Sequence, residues 1–299
     1  MFFLNTPLKA TLCVTIAILS ISACNNGSSK QTATPTAIAT PTATSTPMVI
    51  AQDSSKIFLE DFNRQIGDYI NYLWNLNPQD IAIEQKNLLS LAERYDKEYP
   101  QSKVIELVAE RFENLLYDPN SPYRNEEIFL HIAEYMSSYQ GIDSISRVRF
   151  QQIANDCSLN RLGEVVTDFT YATLNDGEST LHSIKSDYVF LFFSNPGCNS
   201  CFNIIQSIKS SEKITRLQKE GRLTILNMYI DEDLENWIGY MKEYPKNWIN
   251  AYDPNISIKN NKLYSIRAIP SIYLLDKEKR AILKDAPENI ALNILENID

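Results

Sequence analysis

The sequence predicts a two-domain protein, in which an all-α module is followed by an α/β domain. In residues 54–160, apolar side chains recur at steps of three and four, the spacing that places them on one face of a helix. In residues 161–299, short apolar runs of strand length alternate with helical segments, which is typical of an α/β fold. A chain of 299 residues is long enough for two domains of ordinary size.

The composition excludes several classes of function. Hydrophobic residues make up 44% of the chain, as in a globular protein with a substantial core. The formal net charge of -9 repels a phosphate backbone, so we expect no nucleic acid partner. The glycines form no phosphate-cradling loop, and the two histidines, His131 and His182, lie far apart in sequence. We therefore expect no metal site.

Residues 1–23 have the features of a bacterial signal peptide. Lys9 supplies a positive charge, and the apolar stretch 10–21 is shorter than the roughly 20 residues of a transmembrane helix. The stretch ends in Ile21-Ser22-Ala23-Cys24, which resembles a lipobox, so we expect Cys24 to carry a lipid. The alternative is an ordinary cleaved signal with an incidental cysteine. A lipid on Cys24 would anchor the protein in the cell envelope, and we expect it to face the periplasm. The sequence does not distinguish the inner from the outer membrane.

Residues 24–53 contain a charge-free tract of threonine, alanine and proline. Such a tract has almost nothing to bury and cannot offset the entropy lost on ordering. We therefore expect a disordered, semi-extended tether that holds the folded part away from the lipid surface.

Four amphipathic runs occupy the helical module at residues 54–160. Their apolar positions include Phe58, Phe62, Ile66, Tyr69, Ile70, Leu73; Leu88, Leu89, Ala92, Tyr95; Val104, Leu107, Val108, Phe112; and Ile128, Ile132, Tyr135, Met136. Two prolines before the fourth run favour a turn there. Asn125, followed by Glu126 and Glu127, is typical of the start of a helix. No cluster of catalytic residue types occurs here, so we interpret the stripes as helix core. The segment 117–127 resembles a poorly characterised helical domain of lipoproteins from gut-type Gram-negative bacteria, which implies architecture but no activity.

In the α/β half a cysteine pair directly follows a predicted buried strand. Tyr188–Phe193 is a continuous apolar run, typical of a central strand that is covered on both faces. The next residues are Ser194-Asn195-Pro196-Gly197-Cys198-Asn199-Ser200-Cys201. A predicted helix then closes before Gly221, with Phe202, Ile204, Ile205, Ile208 and Ile214 on its apolar side.

The flanking segments complete the alternation. Asp176-Gly177 predicts a tight hairpin turn near the start of the domain, because glycine accepts a positive φ. Leu223–Asp231 and Ile266–Asp276 predict two further strands, the second entered through Pro270. A final helix is predicted from about Glu288.

The spacing of the two cysteines suits thiol–disulfide exchange. Two intervening residues place both sulfurs on the first turn of a helix, close enough for a disulfide. Unpaired N–H groups and the helix dipole favour a thiolate at the first position, so Cys198 is the candidate nucleophile. Cys201 is the candidate resolving thiol, which attacks the mixed disulfide on Cys198 and releases the reduced substrate.

A predicted strand, the CxxC and a helix are followed, some 70 residues later, by Ile269-Pro270-Ser271 and an apolar run. In this order of features, residues 163–299 resemble the thioredoxin superfamily and its membrane-tethered TlpA-like reductases. The resemblance implies a central mixed sheet flanked by helices, and a cis bond before Pro270 that leaves the backbone of Ile269 free to pair with a substrate chain. It implies a redox-active disulfide without a further cofactor. It also implies protein thiol or disulfide substrates, an upstream electron donor, and a reductase or isomerase as the enzyme class.

The sequence departs from the family pattern at three places. Gly197 stands where an aromatic residue usually precedes the first cysteine, and Phe192 stands where thioredoxin has a buried acid. The dipeptide between the cysteines is Asn199-Ser200. These changes leave exchange chemistry in place and leave the redox potential open.

Other functions remain as alternatives. In a non-catalytic binding lipoprotein, the helical domain would dock a partner and the CxxC would be a structural disulfide. A zinc site is disfavoured, because Cys157 is the only other thiol of the processed chain outside Cys24. A peroxidase is disfavoured, because the residues before Cys198 lack the pattern that peroxide-reducing relatives require. We interpret Cys157 as a small buried hydrophobic residue. The alternative is a third redox thiol that pairs with Cys198 in one redox state.

Overall fold

The computed structural model describes residues 64–298. The predicted signal peptide, the lipid site at Cys24 and the tether lie outside the described residues, as do Phe58 and Phe62. The chain divides into two compact units, which meet in sequence between Arg111 and Phe112. None of the helices described between residues 64 and 298 has the length and apolar character that a bilayer crossing requires.

The first unit is helical. Its helices are α1 (64–73), α2 (Pro78–Glu98) and most of α3 (Val104–Phe112). Asn77 caps α2 by accepting a hydrogen bond from the backbone of Asp80, and Pro78 occupies the first turn. Asp96 accepts hydrogen bonds from the backbone N–H groups of Val104 and Ile105, which satisfies the open end of α3. The predicted apolar stripes of α1 and α2 are buried.

The second unit begins with more helix. A π-helical turn (Glu113–Tyr117) is followed by α4 (Glu126–Ser138) and α5 (Ser144–Cys157). Asn125 caps α4, as predicted, through a hydrogen bond from the N–H of Ile128. Helices α4 and α5 belong to the same compact unit as the sheet, although the sequence pattern groups them with the preceding helices.

The sheet of the second unit is mixed and has seven strands, in the order β2-β1-β5-β4-β3-β6-β7. The strands are β1 (Thr170–Thr173), β2 (Gly177–Thr180), β3 (Tyr188–Phe193), β4 (Leu223–Tyr229), β5 (Ile249–Tyr252), β6 (Ser271–Asp276) and β7 (Ala281–Leu283). Central β3 runs parallel to β4 and antiparallel to β6. This is the predicted fold class, a helical region followed by a thioredoxin-like α/β domain.

Helices cover both faces of the sheet. They are α6 (Asn199–Ser210), α7 (Glu212–Lys219), α8 (Leu234–Tyr240), α9 (Ser257–Asn260) and α10 (Glu288–Asn297). Phe190 and Phe192 of β3 pack in one hydrophobic cluster with α6 and α10, while Val189, Leu191 and Phe193 pack in a second cluster. Because successive strand residues point to opposite faces, burial on both sides produces the continuous apolar run in the sequence.

Several elements differ from the prediction. The helix after the cysteines is two helices, because Ser211 ends α6 and caps α7 through a hydrogen bond from the N–H of Ile214. Phe202, predicted on the buried side of α6, is 49% exposed. Strands β5 and β7 and helices α5 and α9 were not predicted. Ile145 and Val148 of α5 face solvent, which weakens its helical pattern, and β5 and α9 are only four residues long.

Candidate active site

Cys198 and Cys201 lie where β3 passes into α6, at the carboxyl end of the central strand. They form a disulfide, with Cα atoms 5.2 Å apart. Cys198 is half-buried, whereas Cys201 is 2% exposed. An incoming thiol or disulfide therefore has access to the sulfur of Cys198 before that of Cys201, which matches the roles of nucleophile and resolving thiol.

Cys198 is the N-cap residue of α6. Its sulfur accepts a hydrogen bond from the backbone N–H of Cys201 at 3.1 Å. The first turn of α6 carries no acidic side chain. The unpaired N–H groups and the helix dipole therefore favour negative charge on the sulfur of Cys198 once the disulfide is reduced.

Gly197 allows the chain to enter α6. Its φ is +72°, in the left-handed region that glycine adopts without a steric cost. A Cβ added to Gly197 meets no atom within 4 Å, so the backbone angle rather than space favours glycine here. The replacement of the aromatic residue usual in the family thus coincides with a turn that any L-residue would strain.

The sheet brings the substrate-binding candidates to the cysteine loop. Phe193, the last residue of β3, pairs with Ser271, the first residue of β6. Pro270 precedes Ser271, and the Ile269–Pro270 peptide bond is cis. Ile269 and Cys198 both pack against the same hydrophobic cluster. Residues that are about 70 positions apart in the chain therefore meet where β3 ends and β6 begins.

A polar chain beneath the cysteine loop was missed by sequence reasoning. Buried Ser194 donates its hydroxyl hydrogen bond to Asn227 of β4, whose amide donates to Asn250 at 2.9 Å. Asn250 in turn donates to the carbonyl of Pro245 at 2.9 Å. The available signal was a single asparagine inside the apolar run of β4, since a buried amide needs partners.

A cavity of about 380 Å³ opens beside the cis-proline segment. Its lining includes Ile269 and Arg267, and also Asp231 and Lys259, which form a 3.0 Å ion pair. Leu159 contributes from the segment after α5. The wall is therefore both apolar and charged, and it includes Ile269, a predicted substrate-binding residue.

Cys157, at the end of α5, is a free thiol with 0% exposure. Burial raises its pKa well above the usual value for a thiol, and the nearby charge of Glu126 acts in the same direction. A protonated, inaccessible sulfur fits the interpretation as a buried hydrophobic residue. Among residues 64–298, no group of three or more His, Cys, Asp or Glu side chains is arranged to hold a metal ion.

A thioredoxin-like fold with a CxxC-spaced pair at the start of a helix defines a class, the thiol–disulfide oxidoreductase fold. Two family models match: one described as Thioredoxin-like at residues 186–281, and one described as Domain of unknown function (DUF5106) at residues 51–160. A thioredoxin-like protein from Bacteroides caccae, known from its crystal structure, is 33% identical. The match covers 79% of this chain and 83% of that chain, with a TM-score of 0.71. The chain belongs to the thioredoxin-like family.

Two further solved structures cover the C-terminal part. The C-terminal domain of an uncharacterized protein from Bacteroides fragilis is 39% identical over 46% of this chain and 97% of that chain, with a TM-score of 0.44. A conserved protein of unknown function from Bacteroides fragilis is 33% identical over 45% of this chain and 98% of that chain, also with a TM-score of 0.44. No curated protein matches the chain.

Proposed function

We propose that the protein is an envelope thiol–disulfide oxidoreductase, a reductase or isomerase, that acts on disulfides of other proteins. The observation that carries the proposal is the position of Cys198: half-buried, at the N-terminus of α6, with the N–H of Cys201 donating to its sulfur at 3.1 Å. Cys201 lies buried within the first turn of the same helix. The pair thus combines an accessible sulfur with a protected one.

The exchange proceeds in two balanced steps. The Cys198 thiolate attacks one sulfur of a substrate disulfide, so that a mixed disulfide forms and the other substrate sulfur leaves as a thiolate that takes up a proton. Cys201 loses its proton and attacks Cys198, which breaks the mixed disulfide and releases the second substrate thiol. The substrate gains two electrons, and the Cys198–Cys201 disulfide remains. A protein or small-molecule dithiol upstream reduces it again.

Ile269 and Pro270, directly before β6, form the substrate-binding segment in this proposal. Proline has no N–H, so the backbone of Ile269 is the group that pairs with the substrate chain beside its disulfide. The shared packing of Ile269 and Cys198 against one cluster supports this assignment.

We further propose that a lipid on Cys24 anchors the protein to a membrane, on the side that faces the periplasm. The lipobox-like Ile21-Ser22-Ala23-Cys24 and the charge-free tract after it support this location. Replacement Cys24→Ala should move the protein from the membrane fraction to the soluble fraction. Continued anchoring of that variant would contradict the lipid assignment.

A trapping experiment tests the enzymatic proposal. The Cys201→Ser variant keeps the nucleophile and loses the resolving thiol, so mixed disulfides with envelope proteins should accumulate on Cys198. The matched control is Cys198→Ser with Cys201→Ser, which should trap nothing, and mass spectrometry of the adducts names the substrates. If no adducts form and the wild-type disulfide has a reduction potential below about −300 mV, the binding lipoprotein with a structural disulfide is the better account.

A further inference from the structure

Two buried carboxylates contact the segment that carries the cis-proline. Glu126 is the first residue of α4 and is 2% exposed. Asp285 lies between β7 and α10 and is 4% exposed. A buried carboxylate is costly unless it is paired and hydrogen-bonded, so the partners of each residue indicate what it holds in place.

Glu126 holds the start of the cis-proline segment, residues 265–271. Its Oε1 atom accepts hydrogen bonds from the Ser265 hydroxyl at 3.0 Å and from Nε of Arg267 at 2.9 Å. Its Oε2 atom lies 2.9 Å from the ammonium group of Lys284. Both oxygens are therefore engaged with positive charge or with the segment itself.

Asp285 holds the other end. Its Oδ2 atom accepts from Nη2 of Arg267 at 2.6 Å, and its Oδ1 atom accepts from the hydroxyl of Ser271 at 2.9 Å. Arg267 bridges the two carboxylates, and its guanidinium lies 4.1 Å from the centre of the Tyr117 ring. The segment is thus anchored at Ser265, Arg267 and Ser271, and Ile269 and Pro270 lie between the last two anchors.

Lys284 and Arg124 also tie the helices before the sheet to residues 284–286, which include Asp285. Lys284, besides its ion pair with Glu126, donates hydrogen bonds to the carbonyl of Cys157, the last residue of α5, and to the carbonyl of Leu159 in the segment after it. The carbonyl of Cys157 belongs to the last turn of α5, where intrahelical partners are lacking. Arg124, just before α4, donates to the carbonyls of Asp285 and Ala286.

We propose that Glu126 is a positioning residue for substrate binding, which holds residues 265–271 in the conformation that presents Ile269 and Pro270 to the substrate chain. This inference rests on the proposed function. It assigns a role to part of the region that matches the domain of unknown function: α4 completes the substrate-binding side of the redox site, although it carries no reacting atom.

Hydrogen exchange tests the inference without any need for activity. Glu126→Gln should accelerate amide exchange in residues 265–271 of the full-length chain. Glu127→Gln is the matched control, because Glu127 is the next residue of the same helix, is 5% exposed, and pairs with Arg161 rather than with the segment. Equal exchange in the two variants, or no acceleration in Glu126→Gln, would overturn the inference.

Kinetics with two substrates separate positioning from general damage. With a protein disulfide as substrate, Glu126→Gln should raise KM by about fivefold or more and leave kcat within about twofold. With a small aromatic disulfide, which needs no backbone pairing, its rate should stay within about twofold of the wild type. A proportional loss with both substrates, or the same KM change in Glu127→Gln, would contradict a positioning role.

A milder variant covers the case in which Glu126→Gln does not fold. Ser265→Ala removes one hydrogen bond to Glu126 and leaves both ion pairs, and it should show the same exchange and KM changes in smaller degree. Unchanged exchange and KM in a folded Ser265→Ala would then count against the inference. If the wild type shows no thiol–disulfide exchange at all, the proposed function fails. The amide hydrogen-exchange data still decide whether Glu126 holds residues 265–271 in place.

Discussion

Ser271 of β6 pairs with Phe193 of β3, so the residue after the cis-proline lies opposite the last residue before the cysteine loop. This register joins the nucleophile and the proposed substrate-binding segment at one edge of the sheet. A shift of the register by one residue would move Ser271 to the opposite face, away from Asp285. The site therefore depends on strand pairing as much as on the cysteines.

Gly197→Ala should destabilise the protein by about 1–2 kcal/mol, because alanine at a φ of +72° carries the steric cost of the left-handed region. Urea unfolding measures the change in the free energy of unfolding. The control is Gly239→Ala in α8, where alanine should stabilise the helix by up to about 1 kcal/mol. If Gly197→Ala leaves the free energy of unfolding unchanged, or raises it as Gly239→Ala should, the turn before Cys198 does not need glycine.

Cys157 should resist alkylation in the reduced, folded protein at neutral pH. Burial raises the pKa of its thiol, so the protonated form persists there and the sulfur is also inaccessible. Cys198 should react readily under the same conditions, and Cys157 should react only after denaturation. Peptide mass spectrometry after labelling distinguishes the peptides that carry Cys157 and Cys198. Rapid labelling of Cys157 in the native protein would support its role as a third redox thiol.

Asp285→Asn should change how stability depends on pH. Burial, together with the charge of Glu126, raises the pKa of Asp285 above its usual value of 3.8. The folded state therefore holds its proton more tightly than the unfolded state, and the wild type loses stability from this group as pH rises from about 4 through the raised pKa. The free energy of unfolding of Asp285→Asn, relative to wild type, should consequently improve over that interval. Urea titrations at several pH values measure it, and an opposite slope would contradict the assigned shift.

Asn227→Leu should cost about 1–3 kcal/mol of stability, because it leaves the Ser194 hydroxyl and the Asn250 side chain without their shared partner. Thermal or urea unfolding gives the value. Asn236→Ala on the exposed side of α8 is the control and should stay within about 0.5 kcal/mol of wild type. Equal effects would mean that the polar chain beneath the cysteine loop adds nothing to stability.

Phe202→Ser should weaken the use of protein substrates with little effect on stability. Phe202 follows Cys201 and is 49% exposed, so its ring offers apolar surface beside the disulfide. We expect a rise of about threefold or more in KM for a protein disulfide. Ile238→Ser, at a side chain with the same 49% exposure on α8, is the comparison. Parallel losses of stability in both variants, without a KM change specific to Phe202, would argue against the contact.

The sequence alone predicted the features that depend on neighbours in the chain. The continuous apolar run of β3, the cap at Asn125 and the placement of the cysteine pair at a helix start are local patterns, because periodicity and capping act over a few residues. The resemblance around Ile269-Pro270-Ser271 added the class of fold. Roles for Cys198, Cys201, Ile269, Pro270 and Cys24 remain predictions that the experiments above address.

Only the tertiary structure revealed what depends on distant contacts. Glu126 and Arg267 are separated by 141 positions, and no pattern near either residue announces that they meet in a buried ion pair. The exposure of Phe202 also depends on which face of α6 the sheet covers. Buried polar pairs and packing faces arise only when distant segments exclude water together, so their partners cannot be deduced from local periodicity.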